Sequence, residues 1–268
     1  MSAVLGADHD RDRVITPPST FDVLGVPVSA IDPDVAVATI EGWIDAGARQ
    51  YVCIAGAHGV IESHDDPELL KSFQHAGLVT PDGTPLVWVA WLRGLSHVRR
   101  VYGPDLMLRM SGTSVRPGRR HFYFGGNDGV AERLRDVLTA SNPGLQVVGC
   151  LTPPFRSVTP EEDAAMVAAI NAARPDILWI GLSTPKQDLW MLRHRDQLQV
   201  PVTIGVGAAF DFLSGSKKQA PRFIRENGLE WAYRLCSEPR RLYGRYSKIV
   251  PRFLQVLATE WWHRSHMT

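Results

Sequence analysis

The sequence predicts an α/β fold: a Rossmann-like parallel sheet with helices on both faces, followed by a helical appendage at the C-terminus. Apolar runs such as QYVCIAGA and DILWIGLS are continuous rather than alternating, as in strands that are covered on both faces. They alternate with amphipathic segments of helical length, which is the order of βαβ units. This alternation stops near residue 217, which divides the chain into a tail (1–18), a core (19–216) and the appendage (217–268).

The elements follow in order from local signals. The polar tail predicts disorder up to Pro17-Pro18, and FDVLGVPVSAID predicts a short strand and a turn. Asp32 and Asp66 each precede a proline and predict helix starts, since the aspartate caps the first turn and proline suits its first position. The later predicted strands are QYVCIAGA, GLVTP, RHFYFGG, GLQVVGCL, DILWIGLS and VPVTIGVGAAFDFLSG, and the helices between them include NDGVAERLRDVLTASNP, TPEEDAAMVAAINAARP and KQDLWMLRHRDQL. Beyond residue 217 the pattern predicts two or three amphipathic helices.

The composition is that of an ordinary folded domain. With 268 residues and 44% hydrophobic residues, the chain can bury a substantial core without staples. Cys53, Cys150 and Cys236 have neither disulfide-framework nor zinc-site spacing, which favours a reducing compartment. The N-terminus has no secretory apolar region, and no apolar run approaches the length of a spanning helix.

The net charge of +1 hides an asymmetry. Residues 217–264 contain eleven Lys or Arg against four acids, a net +7, and the rest of the chain carries −6. A basic end of this kind indicates an anionic partner such as a phosphate, a nucleic acid or a lipid surface. The alternative, a solvated basic helix face, stays open.

Asp82 lies in a Pro-Asp-Gly turn between two apolar runs. Pro81 presets φ, Asp82 can bond the nearby backbone and Gly83 accepts a positive φ, so the tripeptide alone predicts a turn. The alternative is a catalytic one, because a carboxylate fixed between buried elements can take a proton from a substrate.

Three further strand ends carry polar or glycine-rich sequences, and each has a structural alternative. Gly125 and Gly126 follow a strand and precede a helix, where backbone amides can meet an anion, although a plain turn explains them as well. Gln187 and Asp188, next to Lys186, follow a buried strand at the ligand-binding edge of α/β sheets, or else simply begin a helix. Asp211 lies in an apolar strand end beside Gly207. A ligand-facing role for it is slightly preferred to capping, because a buried charge is costly.

Several function classes lack their signatures. There is no G-x-S-x-G elbow, no H-E-x-x-H, no complete G-x-G-x-x-G and no Walker lysine, so hydrolase, metalloprotease, dinucleotide and P-loop functions are not supported. No Asp-x-Asp follows a strand beside the glycines, which disfavours a metal-bound nucleotide sugar. His58 can serve as a base or a ligand, but a structural role is the commoner one for a lone histidine.

Taken together, TPDGTPLVWVAWLRG, RRVYGPDLM, FYFGG, GLSTPKQDLW, GVGAAFDFLSG and APRFIRENGLEWAYRLCSEPRRLYGRY resemble, in order, the WecG/TagA/CpsF glycosyltransferases (glycosyltransferase family 26) over residues 20–255. The resemblance implies a GT-E-like fold whose appendage completes the active site and docks on the membrane. It implies an inverting transfer from a UDP-sugar to a polyprenyl-diphosphate-linked sugar in cell-surface polysaccharide synthesis, at the cytoplasmic membrane face and without a cofactor or metal.

The resemblance also assigns residues. It makes Asp82 the catalytic base, matches Arg100 and Asp105 to the R-x-x-G-x-D segment, and matches Gln187 to the P-K-Q-E motif with Asp188 in place of Glu. The donor set predicted from motifs and strand ends is Gly125, Gly126, Gln187, Asp188, Gly207 and Asp211. The set for the acceptor and diphosphate is His58, Arg100, Asp105, Arg234, Arg240, Arg241 and Arg245.

One departure leaves the sugar open. Many family members have T-x-N where this chain has Ile54-Ala55-Gly56, so a sugar contact is missing and N-acetylmannosamine, glucose or a uronic acid are all candidates. Two rival functions remain, a noncatalytic UDP-sugar sensor or scaffold and a nucleic-acid binder. The absence of a recognised nucleic-acid module argues against the second. The predicted partners are the donor, the acceptor and an anionic membrane surface, and a homo-oligomer stays open.

Overall fold

The computed structural model describes residues 17–221, 223–224, 232–233, 235 and 239–266, with side chains for part of the last segment. It is an α/β protein, as the sequence predicts. Six parallel strands form one sheet in the order β4-β3-β8-β7-β5-β6, and a hairpin of β1 and β2 lies beside β4. The strands are β1 (Thr20–Val23), β2 (Val26–Ser29), β3 (Gln50–Ala55), β4 (Leu78–Pro81), β5 (Arg120–Gly125), β6 (Gln146–Leu151), β7 (Ile177–Gly181) and β8 (Val202–Gly205).

Helices connect the strands and cover both faces of the sheet. They are α1 (Pro33–Asp45), α2 (Ala57–Asp65), α3 (Pro67–Gln74), α4 (Thr84–Leu92), α5 (Gly103–Thr113), α6 (Val130–Ser141), α7 (Pro160–Ala173), α8 (Lys186–His194), α9 (Ala209–Leu213) and α10 (Pro239–His266). The predicted aspartate caps are confirmed, since Asp32 and Asp66 each accept two backbone N–H bonds from the first helical turn. Thr159 caps α7 in a reciprocal box with Glu162.

Two sequence-based expectations need correction. The strand predicted for VPVTIGVGAAFDFLSG is β8 alone; the chain turns at Gly207, whose φ is +52°, and Asp211 therefore lies on α9 rather than in a strand end. The single strand predicted near residue 21 is a hairpin, which Leu24 and Gly25 close with positive φ.

Two apolar layers hold the sheet, one on each face. The layer around Trp179 encloses a polar pair: the Trp179 indole N–H donates to His121 Nδ1 over 3.0 Å, and both side chains are fully buried. Burial lowers the pKa of His121 to about 4, because a charged imidazole would have no water around it.

The described part of the appendage is α10, which packs on α2 and α4. Ile249 and Phe253 are buried against the core, and Arg252 pairs with Asp65 of α2. Leu254 and Trp261 are more than half exposed. Among the helices that the structure describes, none is long and apolar enough to cross a membrane.

Candidate active site

The strand order creates a crevice at the carboxyl edge of the sheet. β5 and β7 lie side by side, but β5 leads outward to β6 whereas β7 leads in the opposite direction to β8. α/β proteins bind ligands at such a reversal, because the following loops diverge and leave space between them. A cleft of about 780 Å³ lies there, with Gly126, Ser183 and Gly207 in its lining.

The cleft combines aromatic rings with ammonium groups. The Trp190 ring lies 4.8 Å from the Phe124 ring, and both line the cleft together with Lys186. Within the described part of the chain no carboxylate pairs with the Lys186 ammonium group. The Asp211 carboxylate also lines the cleft, 2.6 Å from Lys217 Nζ, so its charge is compensated. This lining suits an anionic ligand that carries a flat ring.

The glycines of the β5 turn have a mainly steric role. The φ values of Gly125 and Gly126 are +123° and +77°, and a Cβ on Gly125 would lie 2.7 Å from the Gly181 carbonyl oxygen. The Gly126 N–H donates to that same carbonyl over 3.0 Å, so the expectation that it is free for an anion is wrong. Asn127, the next residue, lines the cleft, and its backbone N–H makes no hydrogen bond to the described residues, so this amide is open to a ligand.

Gln187 and Asp188 are both buried beneath the cleft rather than in its lining. The Gln187 amide packs against the backbone of Gly205 and Gly207, and its Oε1 has no hydrogen-bond partner. Asp188 faces Thr184 and Cys53, although neither carboxylate oxygen reaches a partner in full hydrogen-bonding geometry. Burial raises the pKa of Asp188 to about 6, an effect that these two neighbours only partly offset. Burial also keeps the pKa of Cys53 well above its usual range.

Asp82 lies at the same edge, at the end of β4. Its N–H donates to the Ala55 carbonyl over 3.0 Å, and its own carbonyl accepts a hydrogen bond from Arg100 Nε. The Arg100 guanidinium is 3.7 Å from Asp82 Oδ1 and lies over the Tyr102 ring. The backbone of Asp82 is thus held on both sides, while its side chain is 27% exposed and can reach a substrate.

His58 lies beside Asp82 because β3 and β4 are neighbours. A Cβ added to Gly56 would lie 2.9 Å from His58 Nδ1 and 3.9 Å from Asp82 Oδ2. The His58 ring therefore fills the space into which a side chain at position 56 would project. The glycine at 56 and the histidine at 58 are therefore sterically linked.

Asp105 and Arg100 line a second cleft, of about 600 Å³, together with Arg99 and Trp91. The structure thus brings Asp82, His58 and Arg100 together at one end of the sheet edge, and Gly126, Gly207 and Asp211 at the other. Arg234 lies outside the described residues, and Arg240, Arg241 and Arg245 belong to α10 without described side chains. Their predicted contacts with the diphosphate stay predictions.

Sequence reasoning missed some residues of these clefts. Ser183, with φ +65°, and Trp190 line the first cleft, and Arg99 and Trp91 line the second. All four lie inside segments that resemble the family, namely GLSTPKQDLW, TPDGTPLVWVAWLRG and RRVYGPDLM, but nothing in the sequence alone shows that these side chains face a cleft. Among the described residues, no group of three or more His, Cys, Asp or Glu side chains is placed to hold a metal ion.

Comparison with known proteins gives a consistent picture. A family described as "Glycosyl transferase WecG/TagA/CpsF family" matches residues 21–267. Relatives named N-acetylglucosaminyldiphosphoundecaprenol N-acetyl-beta-D-mannosaminyltransferase include proteins from Bacillus spizizenii W23, Bacillus subtilis 168 and Staphylococcus aureus MW2. The first is 25% identical over 80% of this chain and 81% of the relative. The second is 25% identical over 88% and 81%, and the third is 26% identical over 70% and 72%.

Proposed function

The chain belongs to the WecG/TagA/CpsF family and is a glycosyltransferase, and on this premise we propose that it transfers a sugar, with inversion, from a UDP-sugar to a polyprenyl-diphosphate-linked sugar. The observation that carries the proposal is the Asp82 carboxylate, fixed at the end of β4 on the edge that also holds the aromatic and lysine-lined cleft. The names of the relatives support the acceptor class, since they act on N-acetylglucosaminyldiphosphoundecaprenol.

The residues divide the reaction between the two ends of the sheet edge. The nucleotide lies in the β5/β7 cleft, where the half-buried Trp190 ring, backed by the buried Phe124, suits a base and Lys186 suits the diphosphate. The acceptor hydroxyl attacks the anomeric carbon from the face opposite the diphosphate and gives its proton to Asp82. The bond between that carbon and the diphosphate oxygen breaks, and its electron pair leaves with UDP. One displacement of this kind inverts the configuration.

The leaving diphosphate needs electrostatic stabilisation, and the described residues supply it. Lys186 presents positive charge, and Asn127 a backbone N–H donor, to the first cleft. Arg100 holds Asp82 through its main chain and lies near its carboxylate, so it orients the base. His58, next to the carboxylate, is placed to contact the acceptor sugar.

Asp82→Asn tests the assignment of the base. We expect kcat to fall at least about a hundredfold, as for other general bases, because the amide cannot take the proton. The affinity for UDP, measured by calorimetry, should change less than about twofold, because Asp82 lies outside the nucleotide cleft. Asp136→Asn, which alters an exposed aspartate on α6, is the control and should keep wild-type activity.

A panel of UDP-sugars with a polyprenyl-diphosphate-sugar acceptor tests the substrates. Product from one donor identifies the sugar; N-acetylmannosamine, glucose and a uronic acid are the candidates, because the glycine at 56 leaves a sugar contact missing while the relatives are named for N-acetylmannosamine. Tight UDP-sugar binding without product from any donor would instead support the sensor or scaffold. Undiminished turnover by Asp82→Asn would refute the assignment of Asp82 as the general base.

We also propose that the protein binds the cytoplasmic face of an anionic membrane through α10. The exposed Leu254 and Trp261 side chains suit the interface, and the +7 charge of residues 217–264 would be attracted at about 1 kcal/mol per basic residue near the surface. Cosedimentation of the full chain with phosphatidylglycerol vesicles, but not with phosphatidylcholine vesicles, is the expected result. Equal binding to both kinds of vesicle would show that electrostatic attraction does not contribute to membrane binding.

A further inference from the structure

Two clefts beyond the nucleotide cleft share one side chain. The arginine cleft, lined by Arg99, Arg100 and Asp105, opens next to the turn that carries Asp82. A separate apolar groove of about 570 Å³ runs between α4 and α10. It is lined by Trp88, Trp91, Leu92, Leu254, Leu257, Ala258 and Trp261. Trp91 lines both spaces, so they adjoin at one indole ring.

Trp91 is held in place at this junction. Its indole N–H donates to the Val98 carbonyl over 3.1 Å, and the Arg99 guanidinium lies 5.9 Å from the ring centre. One side of the junction therefore carries positive charge and the other carries hydrocarbon. The rings of Trp88 and Trp91 are each 43% exposed and that of Trp261 is 63% exposed, so the groove is open to a ligand.

We propose that the apolar groove binds the first isoprene units of the polyprenyl chain of the acceptor; this inference rests on the proposed function. The acceptor joins a sugar, a diphosphate and a hydrocarbon chain in that order. The protein presents, in the same order, the Asp82 turn, the Arg99 and Arg100 guanidinium groups and the apolar groove. The diphosphate lies on the arginines, and the chain passes Trp91 and enters between α4 and α10.

The lining favours a hydrocarbon chain over other occupants. Apart from the indole N–H groups, the lining side chains are apolar, so the amides of a bound peptide would find few partners and would stay desolvated. A membrane acyl chain has the same chemistry as an isoprenoid chain. The adjoining arginine cleft favours the acceptor's own chain, because that molecule carries a diphosphate next to the hydrocarbon.

The test compares acceptors that have the same sugar diphosphate but differ in chain length. One carries a single isoprene unit and the other at least seven, and both are dispersed in a non-ionic detergent. The variants are Trp261→Ser and Trp88→Ser, which alter the two walls of the groove. Trp262→Ser is the matched control, because it removes an exposed ring from the same helix outside the groove lining.

For the wild type we expect a lower KM with the long chain than with the short one. Trp261→Ser and Trp88→Ser should each raise the KM of the long-chain acceptor about tenfold, the effect of losing one large apolar contact. The KM of the short-chain acceptor and kcat with either acceptor should stay within about twofold. Trp262→Ser should keep the wild-type ratio of the two KM values.

Three results would overturn the proposal: no chain-length preference in the wild type, equal effects of Trp261→Ser and Trp262→Ser, or a matching rise in KM for both acceptors. Equal effects accompanied by lost vesicle binding would assign the groove to the membrane. A photoactivatable polyprenyl diphosphate tests the groove separately from the proposed glycosyltransferase reaction. If no donor gives product, the proposed function fails. Crosslinking to α4 and α10 peptides, abolished by Trp261→Ser, would still support the groove, and crosslinking elsewhere would refute it.

Discussion

Replacing Asp188 with asparagine should expose a pH dependence of stability that the wild-type protein conceals. Asp188 is fully buried beneath the nucleotide cleft, and its pKa is raised from an ordinary 3.8 to about 6. Between these two values the unfolded chain releases a proton that the folded protein keeps. The carboxyl group therefore stabilises the fold at low pH, and this contribution is lost as the pH rises from about 4 to 6.

The magnitude follows from the two pKa values. The rise in the pKa of Asp188 from 3.8 to about 6 corresponds to about 3 kcal/mol of unfolding free energy. His121 acts in the opposite direction, because its pKa falls from 6.5 to about 4 and its contribution is lost as the pH drops through that range. The two nearly cancel in the wild type between pH 4 and 6. In Asp188→Asn only the histidine of this pair remains. From pH 4 to 6 the unfolding free energy of the variant should therefore rise by about 3 kcal/mol more than that of the wild type.

Urea denaturation at half-unit intervals from pH 4 to 7 measures this difference directly. In the difference between the two proteins, the contributions of the carboxylates that both share cancel. Asp136→Asn, an exposed substitution on α6, is the control, and its curve of unfolding free energy against pH should run parallel to that of the wild type. The Cys53 thiol, in contact with Asp188, stays protonated throughout, because its pKa is raised well above the ordinary value of 9.0. Parallel curves for Asp188→Asn and the wild type would refute the reasoning.

Two glycine substitutions test the strand ends. Gly125→Ala should destabilise the protein by about 2 kcal/mol or more in urea denaturation, because its Cβ would lie 2.7 Å from the carbonyl oxygen of β7. Gly47→Ala, with a positive φ but no atom within 4 Å of the added Cβ, should cost clearly less, and equal losses would show that the close approach is harmless. Gly56→Ala should lower kcat while the unfolding free energy changes little, because its Cβ would lie 2.9 Å from His58 Nδ1 and displace the ring from its place beside Asp82. Unchanged kcat would show that the position of His58 does not matter.

Local chemistry predicted much of the fold. Asp32, Asp66 and Thr159 begin helices because each side chain accepts N–H bonds within its own first turn. The core strands were recognisable because burial on both faces demands continuous apolar residues. The Asp82 turn, at the end of β4, also depends mainly on its own sequence.

Other features depend on distant partners and left no local signal. The apolar run before Asp211 predicts one strand, because periodicity cannot place the break; β8 stops pairing with β3 and β7 at Gly205, and the chain turns at Gly207 into α9. The apolar segment that forms α4 was not assigned, since a helix that is apolar all round has no period to detect. The shared position of Trp91 at two clefts requires α10, which joins α4 from the far end of the chain.

The strand order also sets the reach that a donor must have. Asp82 ends the edge strand β4, three strand spacings from β7, or about 14 Å across the sheet at about 4.8 Å per spacing. Under the proposed function, a nucleoside in the β5/β7 cleft lies about that far from the base, so the diphosphate and the sugar together must span the distance. The strand order then fixes the distance between the bound nucleotide and the base. Sugar preference can change at Gly56 and His58 while nucleotide binding, several strands away, stays as it is.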